Sequence, residues 1–176
     1  MEKTFEIKDN FLNRNYFNEL QSIVTGNNFS WYYQPYDTES YEPNNMMFAH
    51  LLYKEGNVNS EWYKFFKPIA HLISEIEPWT YLTRIKLNCY PNHSKKIIFN
   101  KHVDDETGRE NMFNAVLHMN TCNGETILID NKQEIKIKSR ENKLIVFDNS
   151  IEHYGTSQTD THLRILINFS FIREWI

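Results

Sequence analysis

The hydrophobic positions change period near residue 78. Before it they recur at helical spacing, and after it they mostly alternate. In residues 10–24, Phe17, Leu20 and Val24 fall three or four apart, as do Tyr16, Leu20 and Ile23, which predicts a helix. Asp9, Asn10 or Asn13 can cap it, and Gly26 with Asn27 and Asn28 ends it. In residues 60–76 a second stripe holds Trp62, Phe65, Phe66, Ile69, Leu72, Ile73 and Ile76, with Ser60 as a cap. Pro68 inside this stripe predicts a kink or a split, and Pro78 closes the segment. Between the helices, residues 29–47 carry Trp31, Tyr32, Tyr33, Tyr36 and Tyr41 without a clean period. They read as a strand with a long loop, either lining a substrate entrance or covering one end of the fold.

From Trp79 onward the period is two: Leu87 and Cys89 alternate with Asn88 and Tyr90. Further extended runs are predicted over 97–104, 113–120, 126–129, 134–138, 143–147 and 163–172, with Asp130-Asn131 as a turn and 105–112 as a polar loop. In the last run Leu163, Ile165, Ile167, Phe169 and Phe171 share one face, while Arg164, Leu166, Asn168 and Ser170 share the other. The apolar face is expected against the helices, which turns Arg164 inward. Many short strands behind two helices predict a mainly β chain with N-terminal helices, built as a jelly roll or double-stranded β-helix. One domain over 1–176 is expected, with 1–78 as helical support and 79–176 as the β core.

Composition narrows the class. An apolar fraction of 40% with 12 Phe, 10 Tyr and 4 Trp excludes a disordered chain. A formal charge of −4 from 19 basic and 23 acidic residues gives no sign of a general polyanion binder, although a local basic groove would not show in that sum. Cys89 and Cys122 are too few for a disulfide scaffold and read as two buried thiols in a reducing compartment. Residues 1–10 have no signal-peptide apolar core, and no stretch approaches a membrane span, so a cytoplasmic location is expected.

The chemistry-bearing residues come in order. Asn88-Cys89-Tyr90 is followed by His102-Val103-Asp104, Val116-Leu117-His118-Met119-Asn120, Gly124-Glu125-Thr126, the apolar run 144–148, His153, and Arg164 eleven residues later. In this order, segment 88–171 resembles the 2-oxoglutarate/Fe(II)-dependent dioxygenase superfamily, and its spacing from His153 to Arg164 is similar to that of the prolyl-hydroxylase-like branches. The resemblance implies that His102, Asp104 and His153 hold Fe(II), that Arg164 binds the distal carboxylate of 2-oxoglutarate, and that Asn88 and Tyr90 also contact it. It implies O2-dependent hydroxylation of a C–H bond with release of succinate and CO2. The chain departs from the pattern in a single Gly124 for a glycine pair, in His118 for a tyrosine, and in Leu166 where many members carry Ser or Thr.

These residue types suit that chemistry. Two imidazoles and one carboxylate on one face of a metal leave open positions for a chelating co-substrate and dioxygen. A guanidinium matches a planar carboxylate with two parallel charge-assisted hydrogen bonds. The substrate stays open between a protein side chain, a small molecule and a nucleobase; protein or small molecule is preferred. The nucleic-acid demethylase alternative is weakened because the end of the last strand reads Asn168-Phe169-Ser170-Phe171 where that branch carries a second arginine. A non-catalytic or cupin-like jelly-roll binding protein is the remaining alternative. His118 is read as structural, and His50, His71, His93 and His162 have no ligand spacing with each other.

Overall fold

The computed structural model describes residues 5–35, 46–104, 109 and 111–173. Helix α1 (Arg14–Thr25) starts later than the apolar spacing predicts, because Asn10 adopts a left-handed turn at φ 52°. Of the three candidate caps Asn13 serves: its side-chain oxygen accepts from the Asn15 N–H at 3.0 Å. Gly26 closes the helix, its N–H donating to the Ile23 carbonyl. Helix α2 (Tyr63–Ile73) runs through Pro68 without splitting. The proline removes one backbone donor, and burial of Phe66, Ile69, Ala70 and Ile73 on both sides of it holds the helix together. Ser60 lies ahead of the helix, where its hydroxyl accepts from the Trp62 N–H.

The strands are β1 (Phe5–Lys8), β2 (Tyr32–Gln34), β3 (Met47–Lys54), β4 (Asn57–Val58), β5 (Trp79–Pro91), β6 (Met112–His118), β7 (Glu125–Asp130), β8 (Gln133–Lys138), β9 (Lys143–Asp148), β10 (His153–Gly155) and β11 (Leu163–Arg173). An eight-stranded sheet has the order β1-β9-β6-β11-β5-β3-β2, with β4 on β3. A three-stranded sheet has the order β10-β7-β8. All the pairings are antiparallel. The turn at Asp130-Asn131 joins β7 to β8, with Asn131 and Lys132 both at positive φ, as a two-residue hairpin turn requires.

Alternation along β11 and β5 divides the interior. Ile165, Ile167, Phe169 and Phe171, with Ile85, Leu87 and Cys89, pack outward against Phe17, Leu20, Phe66 and Ile69 of the helices. The opposite faces meet the small sheet, where Tyr90, Val116, Ile145, Phe147 and Leu166 pack with Leu128 and Ile137. The result is the expected double-stranded β-helix with early helices. Two readings change. The first 78 residues also supply β1, β2, β3 and β4, of which only β2 was expected; β3 reads Met-Phe-Ala-His-Leu-Leu-Tyr-Lys and has no clear period. Residues 97–104 do not form a strand; they follow β10 through isolated bridges at Ile98–Thr156 and His102–His153. Tyr36 and Tyr41 lie outside the described residues. Cys89 and Cys122 are free and buried, and burial pushes the Cys89 thiol up to about 12.

His118 on β6 is fully buried, with Nε2 3.3 Å from Thr126 Oγ1. Burial, then the nearby Arg164 and Lys143 charges, hold its pKa well below the ordinary value. It stays neutral in the folded chain at pH values where the unfolded chain takes up a proton.

Two stability outcomes are expected. Phe169→Ala removes a side chain with 0% exposure and should cost about 3–5 kcal/mol in urea unfolding, whereas Leu163→Ala, at 39% exposure, should cost under about 1 kcal/mol. The stability tied to neutral His118 is fully present above pH ~6.5 and is lost as pH falls below it, by up to about 1.4 kcal/mol per pH unit. The urea midpoint of His118→Gln should therefore decline less steeply between about pH 6.5 and 5 than that of the parent chain.

Candidate active site

The two sheets and the 97–104 segment enclose a cavity of about 790 Å³. His102, Asp104 and His153 meet on its wall, with ligand-type atoms all within 4.8 Å of one another. A backbone pair holds the histidines together: each N–H donates to the other residue's carbonyl, at 3.0 and 2.9 Å. Their rings stand 4.5 Å apart, and Phe147 packs edge-on against His153 at 4.8 Å. His102 Nδ1 lies 3.0 Å from the Asn100 carbonyl, and His153 Nδ1 lies 3.2 Å from the Ile151 carbonyl. A carbonyl only accepts, so both Nδ1 atoms carry the proton and both Nε2 atoms are left to bind a metal.

Asp104 completes the group. Its Oδ2 is 3.6 Å from His153 Nε2, and its Oδ1 accepts from Arg84 Nη2 at 2.9 Å. Burial alone would raise its pKa, but Arg84, His153 and His102 outweigh that and hold it at about 2. Metal–ligand distances near 2.0–2.2 Å place donors of one ion within roughly 3–4 Å of each other. The cluster therefore fits a divalent metal after a small contraction. Two nitrogens and one oxygen from the protein leave positions open, which is oxygenase-type rather than closed structural ligation.

Arg164 lies in the same cavity and is 1% exposed. Its Nε donates to Ser139 Oγ at 2.8 Å, its Nη2 to Thr126 Oγ1 at 2.9 Å, and its Nη1 to the Thr156 carbonyl at 3.3 Å. Gly124 makes room for it: a Cβ there would stand 2.6 Å from Arg164 Cδ and 3.0 Å from its Nε. At Gly155 a Cβ would stand 3.2 Å from Nη1. Tyr90 faces Arg164 across the β5–β11 pair, with the guanidinium carbon 5.8 Å from its ring. Asn88 Nδ2 donates to the Tyr90 hydroxyl at 3.4 Å. All six residues singled out from the sequence thus line one cavity. Leu166, where the pattern often has a hydroxyl, lines it too, and the hydroxyls of Ser139 and Thr126 hold the arginine instead.

Sequence reasoning missed Arg84, Lys86 and Ser139, and it named Thr126 only as part of the Gly124-Glu125-Thr126 motif, without its contact to Arg164. Arg84 and Lys86 had a signal, since they share the strand face of Asn88 and Tyr90. Ser139 had none, because it lies just beyond β8 and reaches Arg164 only through the fold. His50 is structural, its ring nitrogens facing the Ser30 carbonyl and Ser60 Oγ. Arg173 is an ion-pair residue, bonded to Glu77 and Asp148. Among the described residues no helix is long and apolar enough to cross a membrane.

No family model and no curated protein matches the chain. Solved structures do match. A prolyl hydroxylase from Trichoplax adhaerens, in complex with a hypoxia inducible factor peptide fragment, superposes with a TM-score of 0.71 at 16% identity, over 98% of this chain and 84% of that one. A Pseudomonas putida prolyl-4-hydroxylase gives 0.69 at 13% identity, over 99% and 95%. An oxidoreductase of the 2OG-Fe(II) oxygenase family from Burkholderia pseudomallei gives 0.74 at 8% identity, over 98% and 87%. At these identities the likeness is one of fold. The chain has the double-stranded β-helix fold seen in 2-oxoglutarate/Fe(II) oxygenases of known structure.

Proposed function

We propose that this chain is an Fe(II)- and 2-oxoglutarate-dependent oxygenase that hydroxylates a C–H bond. One observation carries the reading: His102, Asp104 and His153 share a single cavity with the buried Arg164. A non-catalytic jelly roll has no use for that convergence, and fold alone would not supply it.

In this reading His102 Nε2, His153 Nε2 and Asp104 Oδ2 hold Fe(II). Arg84 occupies Asp104 Oδ1 and so fixes which oxygen faces the metal. Arg164 takes the distal carboxylate of 2-oxoglutarate, oriented by Ser139, Thr126 and Thr156. Tyr90, beside Arg164, and Asn88, two residues away on the same face of β5, supply hydrogen bonds to the co-substrate. Val116 and Leu166 give that stretch an apolar wall that limits water. The iron, when bound, supplies dioxygen activation: one oxygen atom enters succinate as 2-oxoglutarate loses CO2, and the other enters the substrate C–H bond as a hydroxyl.

A protein side chain is the preferred substrate. The peptide-bound Trichoplax hydroxylase shares the fold, and the cavity reaches the surface beside the exposed Lys54 and Arg109. The demethylase alternative has less support, because Asn168-Phe169-Ser170-Phe171 near the end of the last strand holds no second arginine, and Arg173 after it is bonded to Glu77 and Asp148.

Calorimetric titration of Mn(II)-loaded protein tests the assignment. Arg164→Ala should weaken 2-oxoglutarate binding by about 10–100-fold, the worth of a charge-assisted contact, with metal affinity retained. Gly124→Ala should weaken it in the same direction by displacing the Arg164 side chain. His102→Ala should lose the metal. Metal binding without 2-oxoglutarate affinity in the parent chain would instead select a cupin-like protein.

A further inference from the structure

The inward faces of β5 and β11 carry more polar chemistry than a metal and 2-oxoglutarate use. Across the pair Tyr90 faces Arg164, Asn88 faces Leu166, Lys86 faces Asn168, and Arg84 faces Ser170. All eight line the cavity. Asn168 and Ser170 follow Arg164 by four and six residues, which is ~13 and ~20 Å along a strand at about 3.3 Å per residue. A five-carbon chain with bonds of about 1.5 Å is roughly 5 Å long. A co-substrate anchored on Arg164 therefore stops short of Ser170.

At that far end three buried polar atoms have no hydrogen-bond partner among the described residues: Arg84 Nε, Asn168 Nδ2 and Ser170 Oγ. Ser170 is 4% exposed. Two of these atoms are N–H donors, and the hydroxyl can donate as well. Lys86 adds a half-buried ammonium on the same face. A neutral carbonyl would accept from one or two of them, whereas an oxyanion accepts from several at once.

We propose that Lys86, Asn168, Ser170 and the Nε edge of Arg84 form a subsite for a compact oxyanion, a carboxylate or phosphate, on the primary substrate. Because Arg84 also bonds Asp104, an anion held there sets the substrate beside the metal ligands. The inference rests on the oxygenase reading for its assignment to the substrate; the anion site itself needs no turnover.

The test is NMR titration of Zn(II)-substituted protein, saturated with 2-oxoglutarate, using acetate and inorganic phosphate as probes. Saturable one-to-one shifts centred on Asn168 and Ser170 are expected with one of them: acetate marks a carboxylate subsite, phosphate a phosphate subsite. Lys86→Ala should weaken that binding at least ten-fold and leave 2-oxoglutarate affinity unchanged, while Lys86→Arg keeps it within a few-fold. Asn168→Ala provides the same readout if Lys86→Ala does not fold. Shifts that never saturate, or that persist undiminished in the variants, mean an adventitious ion only and overturn the proposal. A fall in 2-oxoglutarate affinity with Lys86→Ala overturns it as well, because the cluster then belongs to the co-substrate. If the protein takes up no 2-oxoglutarate, the oxygenase reading fails separately, and saturable shifts at Asn168 and Ser170 still establish the anion site.

Discussion

Burial of the Arg164 guanidinium constrains much of the structure around it. A charged group with 1% exposure is tolerable only where the chain supplies oriented acceptors and room. Ser139, Thr126 and the Thr156 carbonyl supply the acceptors, each from outside β11. Gly124 and Gly155 supply the room, since a methyl group at either would press on the side chain. The strict alternation of β11 turns Arg164 inward while Ile165, Ile167, Phe169 and Phe171 anchor the same strand under the helices. Burial keeps the nearby His118 neutral, and the Arg164 charge acts in the same direction.

The candidate metal centre joins parts of the fold that are otherwise separate. His153 belongs to the small sheet, His102 reaches it from a segment held by isolated bridges, and Asp104 is tied by Arg84 to the large sheet. The Arg84–Asp104 pair is partly sheltered, so its attraction is offset by desolvation and its net contribution to stability is small. Its effect is geometric: it fixes the carboxylate and leaves one oxygen toward the histidines. One face of β5 thereby contributes at three depths, with Tyr90 beside Arg164, Asn88 in the middle, and Lys86 and Arg84 beyond.

Most of this architecture was legible in the residues. Period-two alternation in 163–172 points Arg164 inward, and His102, Asp104, His153 and Arg164, singled out by their order in the sequence, all line one cavity. What escaped notice has physical causes. β3 is buried on both faces, so its apolar run has no period to read. β10 has three residues, too few for a pattern. The 97–104 run reads as a strand, but it makes only isolated bridges and forms no ladder. Ser139 and Thr126 acquire their roles only through contacts distant in sequence. Among the described residues six Lys or Arg line the cavity, which a net charge of −4 does not reveal.

The most direct test of the central claim is the visible spectrum of the anaerobic protein with Fe(II) and 2-oxoglutarate. A weak charge-transfer band that requires both additions, and that disappears in His102→Ala, is the expected result, because it reports the two bound together at one centre. Fe(II) uptake with no band at saturating 2-oxoglutarate would contradict the account.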